Sequence, residues 1–304
     1  MNPISFFATF IKRWPEASQC GMLIILSGFL MTAQLGIVRL ISEEISVFEI
    51  ILFRALFGLI AISPVIAGGV QIYLKPNRPG LAILCGTLAF FASAFLYLAA
   101  KHLPIADITA IHFTRPLFAA ILAAIILKEA IRGDRTIALI AGFIGAAVII
   151  RPGVVDLNIG VLYVFGVVAV QSWNPINRKL LSKSEHPDTV AIWNILTILP
   201  LAFFTSLFFW TTPTLEQLAW MAVVGLLELA NQRILSRAYL HGDAILVVAL
   251  HYTRLPIAAF VGFIMFSEFP EIWIWLGGAI IAGATIFLTW RETKSKTFDE
   301  KAQK

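Results

Sequence analysis

The sequence predicts an all-α integral membrane protein, ten transmembrane helices arranged as two inverted five-helix repeats. Three observations predict it. The 304-residue chain is 59% hydrophobic and 13% charged, with a mean hydropathy of +0.86, too apolar for a soluble domain of that size. Its apolar runs are about 20 residues long, enough to cross a hydrocarbon core of about 30 Å. Finally, His112-Phe113-Thr114-Arg115 and His251-Tyr252-Thr253-Arg254 are near-copies, and Glu129 and Glu268 follow them at the same offset of 139 residues (251 − 112, 268 − 129).

Helices are expected at approximately 20–38, 48–68, 80–100, 104–127, 136–151, 158–180, 189–210, 215–238, 243–266 and 271–290. The breaks between them fall at Pro76 and Pro79, Pro104, Arg132-Gly133-Asp134, Arg151-Pro152-Gly153, His186-Pro187, Pro213, His241-Gly242-Asp243 and Pro270, residues that end or turn a helix. The first span follows Lys12 and Arg13 without a small-residue cleavage site, so it reads as a retained helix rather than a signal peptide. Cys20 and Cys85 open separate apolar runs and match no metal or disulfide spacing; small buried apolar positions fit them best.

Charge distribution gives orientation. With the N-terminus in the cytoplasm, the outward segments hold only Arg39, Lys101 and Arg151, and Arg54, Arg115 and Arg254 fall inside spans. That leaves 17 of the 23 Lys and Arg residues (23 − 3 − 3) on inward segments. This positive-inside bias places both termini in the cytoplasm, with the chain in a bacterial inner membrane. It also accounts for the net charge of +5 without a nucleic-acid partner.

Residues 92–131 align with 231–270 at the constant offset, and Gly142 and Gly145 then match Ala279 and Ala282 after a two-residue shift. Five spans per copy reverse the sense of the second copy. The expected organisation is a cytoplasmic segment at 1–19, one repeat at 20–152, another at 153–290 and a cytoplasmic tail at 291–304. In inverted repeats a solute site lies near the midplane between halves, where helices are interrupted. Pro116 follows Arg115 directly and Pro256 lies two residues after Arg254, so both fourth helices should bend beside the His/Arg pair.

A cationic side chain at the bilayer centre costs about 2.5–3.5 kcal/mol on insertion scales, and intramembrane ionisable residues usually mark pathways. His112 and Arg115 share a helical face, as do His251 and Arg254. Their functional reading is a cationic cavity for an anionic or zwitterionic solute. The competing reading is internal pairing of the arginines with Glu228 or Asp107. Glu228, with Asn231 and Gln232 on its face, is either a proton carrier or a counter-ion. Asp107 suits helix capping or a loop contact rather than substrate binding, and Arg54 suits pairing with Glu49 or snorkelling. Gln34 in helix 1 and Gln171, Trp173 and Asn174 in helix 6 form a polar wall, for a solute or for interhelical hydrogen bonds. Tyr97, Trp193 and Tyr252 add aromatic lining. Gly142, Gly145, Gly277, Gly278 and Gly283 suit close packing of helices 5 and 10, across the pseudo-two-fold axis or in a dimer.

Several pieces then carry a family resemblance: Phe48-Glu49 with Phe53-Arg54, Pro104 with Ala106, Leu127-Lys128-Glu129, Gly142-Phe143-Ile144-Gly145 and Phe266-Ser267-Glu268-Phe269-Pro270. Together with ten spans, these resemble the drug/metabolite transporter superfamily, in particular its EamA-type members, over residues 20–290. The resemblance implies a permease similar to those for S-adenosylmethionine and amino-acid metabolites. The His-x-Thr-Arg motifs depart from that general pattern, which leaves the substrate open.

The expectation is therefore a secondary transporter of a small polar metabolite such as an amino acid or derivative, working by alternating access; the alternatives are an S-adenosylmethionine permease or exchanger, and a non-transport membrane scaffold or channel. No phosphate loop, zinc spacing or nucleophile elbow occurs, so neither an enzyme nor a cofactor nor a metal site is expected. The expected partners are the metabolite and the lipid bilayer. Proton coupling through His112, His251 or Glu228 and facilitated exchange are equally compatible, as are a monomer and a homodimer.

Overall fold

The computed structural model describes residues 16–67, 76–115, 117–119, 121–122, 133–151, 158–173, 187–241 and 250–302. Ten helices of eight or more residues are found among them: α1 (Glu16–Ile41), α2 (Val47–Ala67), α3 (Pro79–His102), α4 (Ile105–His112), α5 (Gly133–Ile150), α6 (Ile159–Gln171), α7 (Pro187–Ser206), α8 (Leu215–His241), α9 (Arg254–Phe266) and α10 (Ile272–Ala302). The described residues contain no strand.

Local chemistry explains several starts. Pro79 opens α3, where its missing N–H is no loss. Asn158 caps α6 by accepting from Gly160 N at 2.8 Å, and its amide nitrogen donates to His102 O at 2.9 Å, joining the ends of α3 and α6.

Two helices are interrupted in the same way, beside the His/Arg pairs where bends were expected. The expected fourth helix is interrupted at Phe113–Thr114, and the ninth at Tyr252–Thr253. At both places the backbone tightens to i→i−3 bonds, Thr114 N to Ile111 O at 3.0 Å and Thr253 N to Leu250 O at 3.1 Å. In both, the threonine hydroxyl donates to the same carbonyl, Thr114 Oγ1 to Ile111 O at 2.7 Å and Thr253 Oγ1 to Leu250 O at 2.6 Å. Such back-bonding bends a helix. Elsewhere, α7 ends at Ser206 rather than 210, and α10 continues past 290 to Ala302.

Burial is inverted relative to a soluble protein. Large apolar side chains cover the outside: Leu215 is 84% exposed, Phe208 82% and Leu162 68%. Such a surface suits hydrocarbon, not water. Among the described residues, helices over Gln19–Ile41, Pro79–His102 and Leu215–Leu235 are long and apolar enough to cross a membrane, and five shorter apolar helices accompany them.

Helix contacts follow a pattern. α1 packs on α8 and α3 on α6; α8 packs on α2 and α7 on α3; α9 packs on α1 and α4 on α6. Further pairs, α2 with α7, α4 with α9, α4 with α10 and α5 with α10, also join the two halves directly. Gly145 and Gly277 let α5 and α10 touch backbone to backbone: a Cβ on Gly277 would stand 2.5 Å from Gly145 O, and one on Gly145 2.9 Å from Gly277 O.

Candidate functional site

The two interrupted helices face each other at the centre and line a cavity. Both His/Arg pairs line it: His112 and Arg115 from α4 and the turn after it, His251 and Arg254 from the turn before α9 and its first residue. Each guanidinium is held by the helix beside it. Arg115 Nη1 donates to Gln171 Oε1 at 3.0 Å, and His112 Nε2 lies 3.1 Å from the same oxygen. One amide oxygen on α6 thus orients both groups. Arg254 Nη2 donates to Ser27 Oγ at 3.2 Å and its Nη1 contacts Met31 Sδ at 3.3 Å, both on α1. Ser27 in turn donates to Asn231 Oδ1 of α8 at 2.6 Å. Phe113 and Tyr252 meet between the pairs, ring centroids 4.6 Å apart and nearly perpendicular. Toward the start of α4 the wall turns apolar, with Ile105 and Ile108 joined by Leu35 and Leu96.

A second polar centre lies one layer away. Glu228 accepts from Gln34 Nε2 at 3.0 Å and from Gln232 Nε2 at 2.8 Å, and sits 3.5 Å from Arg54 Nη1. Arg54 also donates to Ser93 Oγ at 3.2 Å and lies over the Tyr97 ring, 5.7 Å from its centroid. Gln34 Nε2 is 3.2 Å from Tyr97 Oη. A Cβ on Gly225 would stand 2.8 Å from Arg54 O, so α8 comes onto α2 one turn before Glu228.

This arrangement corrects two sequence readings. Arg54 pairs with Glu228, not Glu49, because residues five apart on a helix point about 140° away from each other. Glu49 is fully buried and accepts instead from Thr211 N and Thr211 Oγ1, both at 2.9 Å, and from Ser46 N at 3.2 Å. Asp107 lies in the first turn of α4, but Pro104 occupies the N-cap and no side chain caps that end. Of the cysteines, Cys20 is buried and Cys85 is only half-buried.

Among the remaining candidates, Gln34, Tyr97, Glu228 and Gln232 belong to the second centre, and Asn231 meets Arg254 through Ser27. Trp173 is 39% exposed at the end of α6. Trp193 lies on α7 and is not part of the cavity wall. Asn174 and Glu129 lie outside the described residues. Ser27, Met31, Thr32 and Thr109 were not legible as site residues; a lone hydroxyl or thioether in an apolar run gives no sequence signal.

Two ion pairs close one end of the molecule. Arg39 Nη2 lies 2.7 Å from Glu268 Oε1 and its Nη1 donates to Oε2 at 2.8 Å, with the guanidinium 4.4 Å above the Phe266 ring. Arg151 pairs with Glu271. Together they tie the 267–271 turn to the ends of α1 and α5. Ser267 is left-handed there, with φ 55°. A second cavity lies at this end, beside Asp107, Arg151, Glu268 and Glu271.

Residues 19–151 match the EamA-like transporter family. A riboflavin transporter of Vibrio cholerae is 30% identical over 229 residues, 74% of this chain and 76% of that protein. The chain belongs to the EamA-like transporter family. A Rickettsia bellii S-adenosylmethionine uptake transporter is 29% identical, over 84% of this chain and 88% of its own length. A solved crystal structure shares the fold, with a TM-score of 0.59 at 18% identity over 90% of this transporter and 97% of that chain.

Proposed function

We propose that this EamA-family transporter is a metabolite permease that binds a small polar solute carrying a carboxylate or phosphate between Arg115 and Arg254 and passes it across the bacterial inner membrane by alternating access. The observation that carries the reading is the convergence of two arginines, from two copies of one motif, on a single cavity. An arginine fork suits such oxygens.

The moving bodies are the two five-helix repeats, 20–152 and 153–290, inserted in opposite senses. The helix contacts support this: α1 on α8 recurs as α6 on α3, α2 on α8 as α7 on α3, and α1 on α9 as α6 on α4. Each of these three contacts reappears with its partners exchanged, as an axis in the membrane plane requires. The basic residues favour cytoplasmic termini. Arg39–Glu268 and Arg151–Glu271 then face the periplasm, where breaking them would open that end. A monomer suffices for the cycle.

Relatives named for S-adenosylmethionine and riboflavin transport favour a metabolite of nucleoside or flavin size, and S-adenosylmethionine uptake or exchange is the second reading. Counterflow in proteoliposomes tests both. Labelled solute should accumulate against an unlabelled internal pool, and Arg115→Ala or Arg254→Ala should each abolish it while the protein still elutes as a folded particle. Wild-type counterflow in both variants would remove the arginines from the pathway.

A further inference from the structure

The central cavity has two chemically different ends, and this deepens the permease reading on which it rests. We infer that the cavity takes an amphiphilic organic anion: a carboxylate or phosphate joined to an aromatic or branched apolar body, with no ammonium or sulfonium centre.

The charge pattern supplies the first half. Arg115, Arg254, His112 and His251 all line the cavity, and among its described lining residues there is no aspartate or glutamate. Neutral groups are among those that orient the guanidinium groups there: the Gln171 amide, the Ser27 hydroxyl and the Met31 thioether. Glu228, an intramembrane carboxylate of the adjoining polar network, stands with Arg54, Gln34 and Gln232 and is not part of the wall. A cationic group on the solute would meet like charge in a site of low dielectric, with no opposite charge on the described wall. An anion gains on every one of these counts.

Shape supplies the second half. Ile105 and Ile108 precede His112 by two turns and one turn of the same helix, and Leu35 and Leu96 face them from α1 and α3. A solute whose head reaches the arginines lays its remaining atoms along this apolar wall, beside the perpendicular Phe113 and Tyr252 rings. Burying apolar surface there is favourable, whereas a short hydrophilic anion would desolvate the wall to no gain. The inference separates this chain from its S-adenosylmethionine relatives, since that solute carries a sulfonium and an ammonium.

A matched probe set tests it on the purified full-length protein by titration calorimetry: 3-phenylpropionate, its neutral amide, 3-phenylpropylamine, propionate, phenylalanine and S-adenosylmethionine. The expected result is that 3-phenylpropionate binds at least about tenfold more tightly than each of the others. Arg254→Gln should bring carboxylate and amide to similar affinity, and Arg254→Lys should restore part of the difference. If the variants fail to fold, the wild-type order decides alone. Equal or tighter binding of the amine, of phenylalanine or of S-adenosylmethionine overturns the inference, and so does binding of none of the probes. Counterflow of some other solute would then leave the permease reading standing, whereas absence of counterflow for every solute would remove that reading itself.

Discussion

Phe113 and Tyr252, the second residues of the two His-x-Thr-Arg copies, meet edge to face with centroids 4.6 Å apart. In the proposed two-fold arrangement of the copies, a contact between equivalent positions would mark the axis, with one His/Arg pair on each side of it. Edge-to-face pairs contribute about 0.5–1.5 kcal/mol beyond the area they bury. A double-mutant cycle with Phe113→Leu and Tyr252→Leu should return a coupling in that range in thermal unfolding of the detergent-purified protein. A coupling of zero would mean that the rings are neighbours without mutual dependence.

Gln171 should matter more than a single amide usually does. Its Oε1 accepts from Arg115 and lies against His112 Nε2, so Gln171→Leu leaves two polar groups of the cavity without their shared acceptor. Apparent affinity for solute should fall about tenfold, the effect of about 1.4 kcal/mol, while Gln171→Glu should hold the arginine too firmly and lower the turnover rate. Counterflow rates over a range of solute concentrations separate the two effects.

The Arg54–Glu228 pair divides a structural role from a transport role. Arg54 is 8% exposed and its partner is 174 residues away (228 − 54). Removing Glu228 leaves the buried Arg54 charge uncompensated, which costs up to about 3–5 kcal/mol, whereas removing Arg54 leaves a carboxylate that is 28% accessible and still bonded to Gln34 and Gln232, at a smaller cost; replacing both by apolar residues of similar volume is often neutral. Arg54→Met and Glu228→Leu should each lower thermal stability, and the double variant should recover most of it. If the double variant is stable but inert in counterflow, the pair also serves the transport cycle.

How much of this could be read beforehand follows from the range of each interaction. Helix positions were legible because apolar runs and prolines are local signals. The interruptions at Thr114 and Thr253 were legible as bends from Pro116 and Pro256. That the threonine hydroxyls fasten them to Ile111 and Leu250 was not. The polar amide at Gln171 stood out against its apolar run, so its place beside Arg115 was within reach. Ser27 and Met31 did not stand out, because both residue types are ordinary in membrane helices. For Arg54 the chain offers a carboxylate close in sequence, Glu49. The one close in space belongs to α8, brought near by Gly225, and nothing in the sequence around residue 54 points there.

Close backbone approach makes a paired prediction for the glycines. Gly277→Ala puts a methyl group 2.5 Å from Gly145 O, so α5 and α10 must separate, with a loss of about 1–3 kcal/mol from overpacking. Gly283→Ala, on the same helix, meets no described atom within 4 Å and should change stability by less than about 0.5 kcal/mol. Thermal unfolding of the two variants side by side checks the contrast. Equal losses would place the critical helix contact elsewhere.

The end closed by the Arg39 pair, periplasmic in the proposed orientation, offers the most direct view of the transport cycle. Arg39 forks onto Glu268 with both oxygens engaged, and the geometry is bidentate, the form in which such pairs are strongest. The pair is partly exposed, with side chains 21% and 26% accessible, so its loss should shift the closed state by only about 1 kcal/mol. A shift of that size changes the open population about fivefold. A cysteine placed at Thr109 on the cavity wall, with Cys20 and Cys85 replaced, reports it through a membrane-impermeant thiol reagent added outside. Glu268→Gln in that background should speed labelling about fivefold and leave total reactive thiol in unfolded protein unchanged. Saturating solute should slow labelling in both proteins, because it occupies the cavity. If the Glu268→Gln variant and its parent label equally fast, the Arg39 pair does not control entry, and the route from the periplasm to Arg115 and Arg254 must open at another seam between α1, α4 and α9.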